Sequence, residues 1–330
     1  MTSLNMLEQV PSPGWRGRVS GWGLPWVALA TLAALALLGG ISPARLNYLL
    51  TMSAGYGLVS LGIVALMRGG TVSFGQGAAF AAGGYAAAWL SAAWGVRDAL
   101  LLVLGGGLAS VLVALPFSWL LARYRGIFFA TLTLALSMVA YGLLSKSAAL
   151  GGSDGLNVPR PTLLGLALAD AASAYALYLL SMAVAVGMAV LARVYFRSEA
   201  GLTAMAVRDN EIRLSYLGGS VFRVMVLNHL FAALCGGLGG ALVVISLGHV
   251  EPQFSYWTTS GEFVFVAVLA GTRSVPAVFL AAVLLEVIRS FSGAYFPTVW
   301  QLVLGAFLLV VIRFLPQGIG SLWARQEGQP

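Results

Sequence analysis

Residues 99–121 read ALLLVLGGGLASVLVALPFSWLL and contain no charged side chain. As an α-helix, a run of this length measures about 35 Å, which is enough to cross a bilayer core about 30 Å thick. The whole chain of 330 residues is 59% hydrophobic and 9% charged, whereas soluble domains carry roughly 25% charged residues. The sequence therefore predicts an all-α integral membrane protein.

Similar apolar runs recur along the chain between short polar breaks and predict a polytopic helical bundle of nine or ten spans. The weakest is the run at 255–271, which Glu262 and Gly271 interrupt, and a half-crossing segment is the alternative there. The predicted spans are 24–40, 46–67, 74–94, 99–121, 127–145, 172–192, 224–248, 255–271, 276–290 and 298–314.

The distribution of basic residues predicts the orientation, because cytoplasmic loops are enriched in arginine and lysine. With the N-terminus inside, thirteen of the 18 basic residues are cytoplasmic, and Arg289 is among the five outside. We expect a cytoplasmic tail at 1–23, a transmembrane permease domain at 24–315 and a cytoplasmic tail at 316–330. Both termini are then cytoplasmic.

Several functional classes find no support in the sequence. The basic residues lie at the ends of apolar runs and form no patch, which argues against nucleic-acid binding. Two distant histidines, His229 and His249, and the single Cys235 offer neither a metal site nor a catalytic constellation. We therefore expect no catalytic residue, and we expect Asn228 and His229 to form hydrogen bonds inside the bundle.

A charged segment interrupts the apolar pattern between Arg193 and Arg223, with eight charged residues in 31 positions. Ser198 is suited to cap a short helix from Glu199, and Asp209 or Asn210 to cap a second that ends at Gly218. Helices this short need a docking surface. That surface is either a separate cytoplasmic subunit or the protein's own bundle.

Three stretches resemble the branched-chain amino acid ABC permeases, specifically the LivM-type subunit. The segment EAGLTAMAVRDNEIRLSYLG at 199–218 is similar to the cytoplasmic coupling loop of that family. TVSFGQGAAFAAGGYAAAWL at 71–90 looks like its glycine-rich early span. RGIFFATLTLALSMV at 125–139, followed by GGSDGL, resembles its central span and outer loop.

The resemblance implies a type II ABC importer-like permease in the bacterial inner membrane. Its coupling loop at 196–222 is expected to bind the ATPase subunits. The resemblance also implies two ABC ATPase subunits that carry ATP and Mg, a LivH-type permease subunit, and a periplasmic or lipid-anchored substrate-binding protein. The chain itself is expected to hold no cofactor. The expected coupling residues are Glu199, Gly201, Ala204, Arg208, Asp209, Asn210, Glu211 and Gly218.

The chain does not carry a phosphate-binding P-loop of its own, which agrees with a permease without ATPase activity. Such a loop ends in Gly-Lys-Ser/Thr, and Lys146, the only lysine, follows Ser145. An ion-gradient-driven transporter of small solutes is the alternative, and it requires ionisable groups within the spans. The acids, Glu262 included, lie near loops or span ends, and Glu286 is the nearest to an intramembrane position. Glu286 and Arg289 are spaced to form a pair.

An amino-acid-like solute calls for backbone amides at a helix start, which bind a carboxylate without a buried cation. The stretch RGGTVSFGQG at 68–77 combines four glycines with capping and amide side chains. We expect Ser73, Gly75, Gln76 and Tyr85 to border the path of a branched-chain amino acid or a similar amide solute. The alternative is an ordinary turn followed by a packing tyrosine.

Overall fold

A computed structural model describes residues 23–163, 165, 170–295, 298, 300–315 and 318–321. Most of these residues are helical. Of the predicted tails at 1–23 and 316–330, residues 1–22, 316–317 and 322–330 lie outside the described residues. The helices are α1 (Gly23–Ile41), α2 (Ala44–Arg68), α3 (Gln76–Trp94), α4 (Ala99–Leu121), α5 (Gly126–Lys146), α6 (Asp170–Arg197), α7 (Glu199–Tyr216), α8 (Val221–Leu247), α9 (Trp257–Ala270), α10 (Val275–Tyr295) and α11 (Trp300–Phe314).

Length and hydropathy identify the membrane-spanning helices within the described ranges. Six helices are long and apolar enough to cross a bilayer, namely α2, α4, α5, α6, α8 and α10. Shorter apolar helices cover Pro25–Ile41, Trp257–Ala270 and Leu302–Val311. The predicted all-α polytopic fold is confirmed, and the count of nine or ten spans stays a prediction.

The centre of the bundle is the pair α2 and α8, which pack against each other along their length. On one side α3 and α4 lie against α8, and on the other α9 and α10 lie against α2. Glycines allow this close approach, since a Cβ atom at Gly83 of α3 would overlap the backbone of Gly237 in α8. A Cβ at Gly240 would likewise overlap the backbone of Phe80.

Two helices begin inside the protein after non-helical segments. Residues 69–75 lead into α3, and Thr71 and Ser73 in this segment are buried. A 3₁₀ turn at Pro252–Ser255 leads into α9, whose 14 residues measure about 21 Å and fall short of a bilayer core. The run predicted at 255–271 is therefore a short helix with a buried entrance.

Glu262 and Arg289 form an ion pair that the sequence did not indicate. Arg289 Nη1 lies 3.3 Å from Glu262 Oε2, which joins α10 to α9. The same nitrogen donates a hydrogen bond to the hydroxyl of Tyr56 in α2 at 3.1 Å. The side chains of Arg289 and Glu262 are 35% and 18% exposed, so each charge is partly removed from water. The contacts that join α2, α9 and α10 offset the cost of this removal.

Two small features complete the described chain. A two-residue strand β1 (Leu156–Asn157) pairs antiparallel with β2 (His249–Val250) just after α8. Residues 318–321 of the predicted C-terminal tail pack on the end of α9, where the amide of Ile319 donates to the carbonyl of Leu269 at 2.8 Å. This part of the tail is thus held against the bundle.

Candidate functional site

A cavity of about 410 Å³ lies between α3, α4, α5 and α8. Ser73, Gly75, Gln76 and Tyr85, the four residues expected to border a path, all line it. Three of them lie at the entrance to α3 and the fourth lies more than two turns further along the same helix. Ser73, Gly75 and Gln76 lie together because the non-helical segment 69–75 enters the bundle and ends at the start of α3.

The amides at the start of α3 are satisfied by hydroxyl groups of the protein. The amide of Phe74 donates to Thr133 Oγ1 at 3.1 Å, and the amide of Gly75 donates to Ser73 Oγ at 3.2 Å. The amide of Gly77 donates to Ser260 Oγ at 2.9 Å. Three amides around this helix start therefore already have acceptors in this conformation, namely one from α5, one from α9 and one from Ser73.

Gln76 fixes the entrance of α3 to the central helix pair. Its side-chain amide nitrogen donates to the carbonyl oxygen of Ala232 in α8 at 3.1 Å, and the residue is buried. The packing is tight, since a Cβ atom at Gly62 of α2 would lie 2.9 Å from the same nitrogen. Gln76 thus lines the cavity and also holds α3 against α8.

Tyr85 lies on the part of the cavity farther from the α3 entrance. The residue is 4% exposed, and its hydroxyl has no hydrogen-bond partner in the part of the chain that the structure describes. Its ring packs with Val158 and Val250, which flank the short β1–β2 pairing. A buried hydroxyl without a partner is costly, so a polar group entering the cavity is the natural partner for it.

Three further polar residues line the cavity and were not predicted as path residues: Ser110, Thr133 and His229. His229 Nδ1 lies 2.9 Å from Ser118 Oγ. Its neighbour Asn228 instead contacts the hydroxyl of Tyr195 in α6 at 2.5 Å. Both residues therefore form hydrogen bonds inside the bundle, as expected, and they do so with different neighbours because consecutive residues of a helix are about 100° apart.

The remaining lining is apolar and comes mainly from α4 and α5. Val113, Phe117, Leu136, Val139 and Leu143 are among these residues. Except for Tyr85, the polar groups therefore cluster near the entrance of α3, and apolar side chains form the opposite walls. A mostly apolar cavity with a few placed polar groups suits a small solute that has one polar end and one aliphatic part.

The coupling loop forms α7, which is kinked at Asn210 by extended backbone. Ser198 Oγ accepts from the amide of Gly201 at 3.5 Å, and Asn210 Oδ1 accepts from the amide of Arg213 at 2.9 Å. These are the capping bonds of two successive helical segments. The prediction of two short capped helices at this position is confirmed.

The predicted coupling residues separate into a buried and an exposed group. Gly201 and Ala204 face the protein's own bundle, where a Cβ atom at Gly201 would overlap the backbone of Tyr195 and Phe196. Glu211 is half-buried beside Arg125. The remaining predicted residues are exposed, namely Glu199, Arg208, Asp209, Asn210 and Gly218.

The exposed surface of α7 also carries apolar side chains. Ile212 is 70% exposed, Tyr216 is 88% exposed and Leu217, just after the helix, is 79% exposed. Ala204, one of the expected coupling residues, and Val207 are buried instead. One face of this loop therefore packs on the protein's own bundle, and the other face is open.

Residues 45–312 match the protein family described as "Branched-chain amino acid transport system / permease component". The chain belongs to this permease family. It is therefore a membrane-spanning permease subunit of an ABC importer and a multi-pass protein of the inner membrane. The matched range includes the cavity and α7.

Curated relatives of this permease have low identity over most of its length. The high-affinity branched-chain amino acid transport system permease protein LivM of Salmonella typhimurium is 28% identical over 292 residues, 82% of this chain and 68% of that protein. LivM of Escherichia coli K12 is 27% identical over the same shares of the two chains. The permease protein LivH of Salmonella typhimurium is 24% identical, over 82% of this chain and 92% of that protein. No solved structure matches this permease significantly.

Proposed function

We propose that this permease moves branched-chain amino acids, or closely similar small amino-acid-like or amide solutes, into the cytoplasm. The observation that carries the proposal is the cavity, where Ser73, Gly75, Gln76 and Tyr85 meet a mostly aliphatic lining. The polar end fits the amino and carboxylate groups, and the walls of α4 and α5 fit a branched aliphatic side chain. The relatives LivM and LivH are permeases for branched-chain amino acids by name, which supports the same solute class.

The proposed orientation has both termini in the cytoplasm. The distribution of arginines supports it, because cytoplasmic loops are enriched in basic residues. In this orientation α7 and the loop that carries Arg125 face the cytoplasm, and the β1–β2 pairing faces the periplasm. A tag at the C-terminus that reacts with an impermeant reagent from the periplasm would overturn this orientation.

The proposed partners are two ABC ATPase subunits, which bind ATP and Mg, a LivH-type permease subunit and a periplasmic or lipid-anchored binding protein. The exposed side chains Ile212, Tyr216 and Leu217 support an ATPase contact at α7, since exposed apolar groups of this size are typical of docking surfaces. This permease is proposed to have no ATPase site of its own. The open face of α7 would then be the surface through which ATP binding to the ATPase subunits shifts the spans between two states.

Reconstitution tests the proposal against gradient-driven transport. Vesicles that contain this permease, the ATPase and permease subunits encoded beside it, and the matching binding protein should accumulate radiolabelled leucine only when ATP is hydrolysed. Uptake driven by a proton or sodium gradient without ATP would overturn the importer proposal. The ion pair between Glu262 and Arg289 argues against Glu262 as the carrier of a coupling ion, because a carboxylate held by a guanidinium is a poor carrier.

A crosslinking experiment tests the docking site separately. A photoreactive group introduced at Asp209, which is exposed on α7, should capture the ATPase subunit in the assembled complex. The same group at Ile127, which is 80% exposed on α5, serves as the comparison position. Capture at Ile127 without capture at Asp209 would contradict docking on α7.

A further inference from the structure

One ion pair joins the coupling helix to the start of α5. Arg125, the last residue before α5, has its Nε atom 2.6 Å from Glu211 Oε1 in α7. Its Nη1 atom donates to the carbonyl oxygens of Ala122 and Tyr124, both at 2.8 Å. The guanidinium group is thus anchored to its own loop on one side and to α7 on the other.

An apolar contact supports the same junction. Ala122, one residue beyond α4, is buried in a cluster with Ala204 and Val207 of α7 and with Val224 and Met225 of α8. The first segment of α7 is therefore packed on the end of α4 and the start of α8. The second segment, beyond the kink at Asn210, reaches the α4–α5 connection through Glu211.

The first segment of α7 has a separate connection to the other side of the cavity. The guanidinium of Arg68, at the end of α2, contacts Met205 Sδ at 3.2 Å and donates to the carbonyl of Thr272 at 2.9 Å. Gly70 has a φ of +79°, and a Cβ atom there would lie 3.3 Å from the Cα of Arg208. The buried segment 69–75, which carries Ser73 to the cavity, therefore begins directly against α7.

The two connections lead to elements of different mobility. Segment 69–75 joins the buried helices α2 and α3, whereas α5 has only three buried residues among those described, Phe129, Thr133 and Ser137. A helix with so few buried contacts can shift at a low energetic cost. Because α5 also forms one wall of the cavity, a shift of α5 changes the width of the cavity.

We propose that Arg125 is a positioning residue through which the second segment of α7 moves α5 and opens or closes the cavity. This inference rests on the proposed function, because it assigns a route for the motion that the ATPase subunits impose on α7. The motion passes from Glu211 to Arg125 and then to α5, which is the cavity wall with few buried residues. The contacts of Arg68 hold the opposite, buried side of the cavity to the first segment of α7.

The Arg125–Glu211 pair is well suited to a functional test because it contributes little to folding. The two side chains are 28% and 40% exposed, and ion pairs at such positions add little stability. Arg125→Gln and Glu211→Gln should therefore reach the membrane in normal amounts. In the reconstituted complex, each should lower leucine uptake per ATP hydrolysed by about fivefold or more, while the ATPase subunits stay bound.

A charge swap distinguishes an internal route from a contact with the ATPase. The double variant R125E/E211R restores the attraction within this permease but not the bonds from residue 125 to the carbonyls of Ala122 and Tyr124, so it should recover part of the coupling that each single variant loses. Arg123→Gln is the matched control, since Arg123 lies in the same loop but stacks on the ring of Trp119 at 4.0 Å. Single variants that are impaired and not restored by the swap would overturn the proposal, and so would single variants with full coupling.

A distance measurement provides a readout that does not depend on transport. Spin labels at Ile127 of α5 and Leu227 of α8 occupy exposed positions, and the single native cysteine, Cys235, is buried. Nucleotide binding to the complex should change their separation in the otherwise unaltered permease and change it much less in the Glu211→Gln variant. Equal changes in both proteins would overturn the inference. Absence of ATP-driven uptake in the unaltered complex would overturn the proposed function, which is a different result.

Discussion

The central helices α2 and α8 and the wall helix α5 differ sharply in how they are held. In the most apolar stretch of α2, 83% of the residues are buried, and in α8 the share is 78%, whereas in α5 it is 17%. The glycines show the same difference. A Cβ atom at Gly239 of α8 would lie 2.5 Å from the carbonyl oxygen of Gly55 in α2, but a Cβ atom at Gly142 of α5 would meet nothing within 4 Å.

This difference indicates a division of roles. Close backbone contact makes α2, α3 and α8 one rigid unit, because such packing has few alternative arrangements of similar energy. The exposed apolar surface of α5, which includes Ile127 at 80% and Phe128 at 76%, faces lipid or a partner subunit. The cavity lies between the rigid unit and α5. A change in access to the cavity requires the least repacking on the α5 side.

The largest effect is expected from a side chain placed in the rigid unit. Gly83→Val puts a Cβ atom onto the backbone of Gly237, which cannot move aside, and should destabilise the fold by about 3 kcal/mol or more. Membrane abundance and the thermal unfolding of the purified protein measure this loss. Gly142→Val on α5 is the matched control and should behave like the unaltered protein. Equal losses in both variants would contradict the comparison.

The next prediction concerns the transmission of motion from α7 to α5. Replacing Arg208, Asp209 and Glu211 together by alanine should reduce uptake per ATP hydrolysed by about tenfold or more, as expected for the loss of a coupling element. Stability should change little, within about 1 kcal/mol, because these residues lie at the surface or are only half-buried. Ser215→Ala, at an exposed position of the same helix, is the control. Persistence of coupled uptake would show that α7 is not the transmission element.

Gln76→Leu should give a smaller effect on the rigid side of the cavity. The change removes the hydrogen bond to Ala232 and leaves a buried carbonyl with one partner fewer, at a cost of about 1–3 kcal/mol. Uptake corrected for membrane abundance should decrease by about tenfold, because a cavity-lining amide is also lost. Thr133→Val makes the corresponding change on the α5 side, where the amide of Phe74 loses its acceptor. Unchanged corrected uptake in Gln76→Leu would exclude this residue from the path.

The smallest effect is expected from Tyr85→Phe. Its hydroxyl has no partner among the described residues, so its removal should leave the unfolding temperature unchanged or raise it slightly. The apparent KM for leucine should rise about two- to fivefold, which corresponds to one modest hydrogen bond to the solute. Tyr56→Phe is the comparison, because the hydroxyl of Tyr56 accepts from Arg289 and its loss should lower stability. A lower unfolding temperature in Tyr85→Phe would show that its hydroxyl is needed for folding.

Much of the fold could be predicted from the sequence because its signals are long or local. Uncharged runs of bilayer length located the helices to within a few residues for most spans, such as α4 at the predicted 99–121. The kink of α7 followed from two capping side chains, Ser198 and Asn210, each close in sequence to the amide it caps. Patterns of this kind require no knowledge of distant contacts.

The features that could not be predicted depend on contacts between distant parts of the chain. Thr133 and Ser260 satisfy amides at the start of α3 from positions 59 and 183 residues away, and nothing near Phe74 or Gly77 in sequence indicates them. The link from Arg289 to Glu262 was missed for the same reason, since their helices meet only in the folded bundle. Likewise, composition alone does not indicate which face of α7 is buried.

The pairing of β1 with β2 constrains how α5 can move. The end of α5 that carries Lys146 is linked through a short loop to β1, which is bonded to the chain immediately after α8, and the amide of Val158 also donates to the carbonyl of Gly248 at 2.8 Å. In the proposed movement of α5 this far end is the fulcrum, so that displacement grows along the helix toward Arg125. For a helix of 21 residues, about 31 Å long, a tilt of about 10° moves the near end by about 5 Å. A small rotation at the coupling surface is thus amplified into a displacement comparable with the width of an amino-acid side chain.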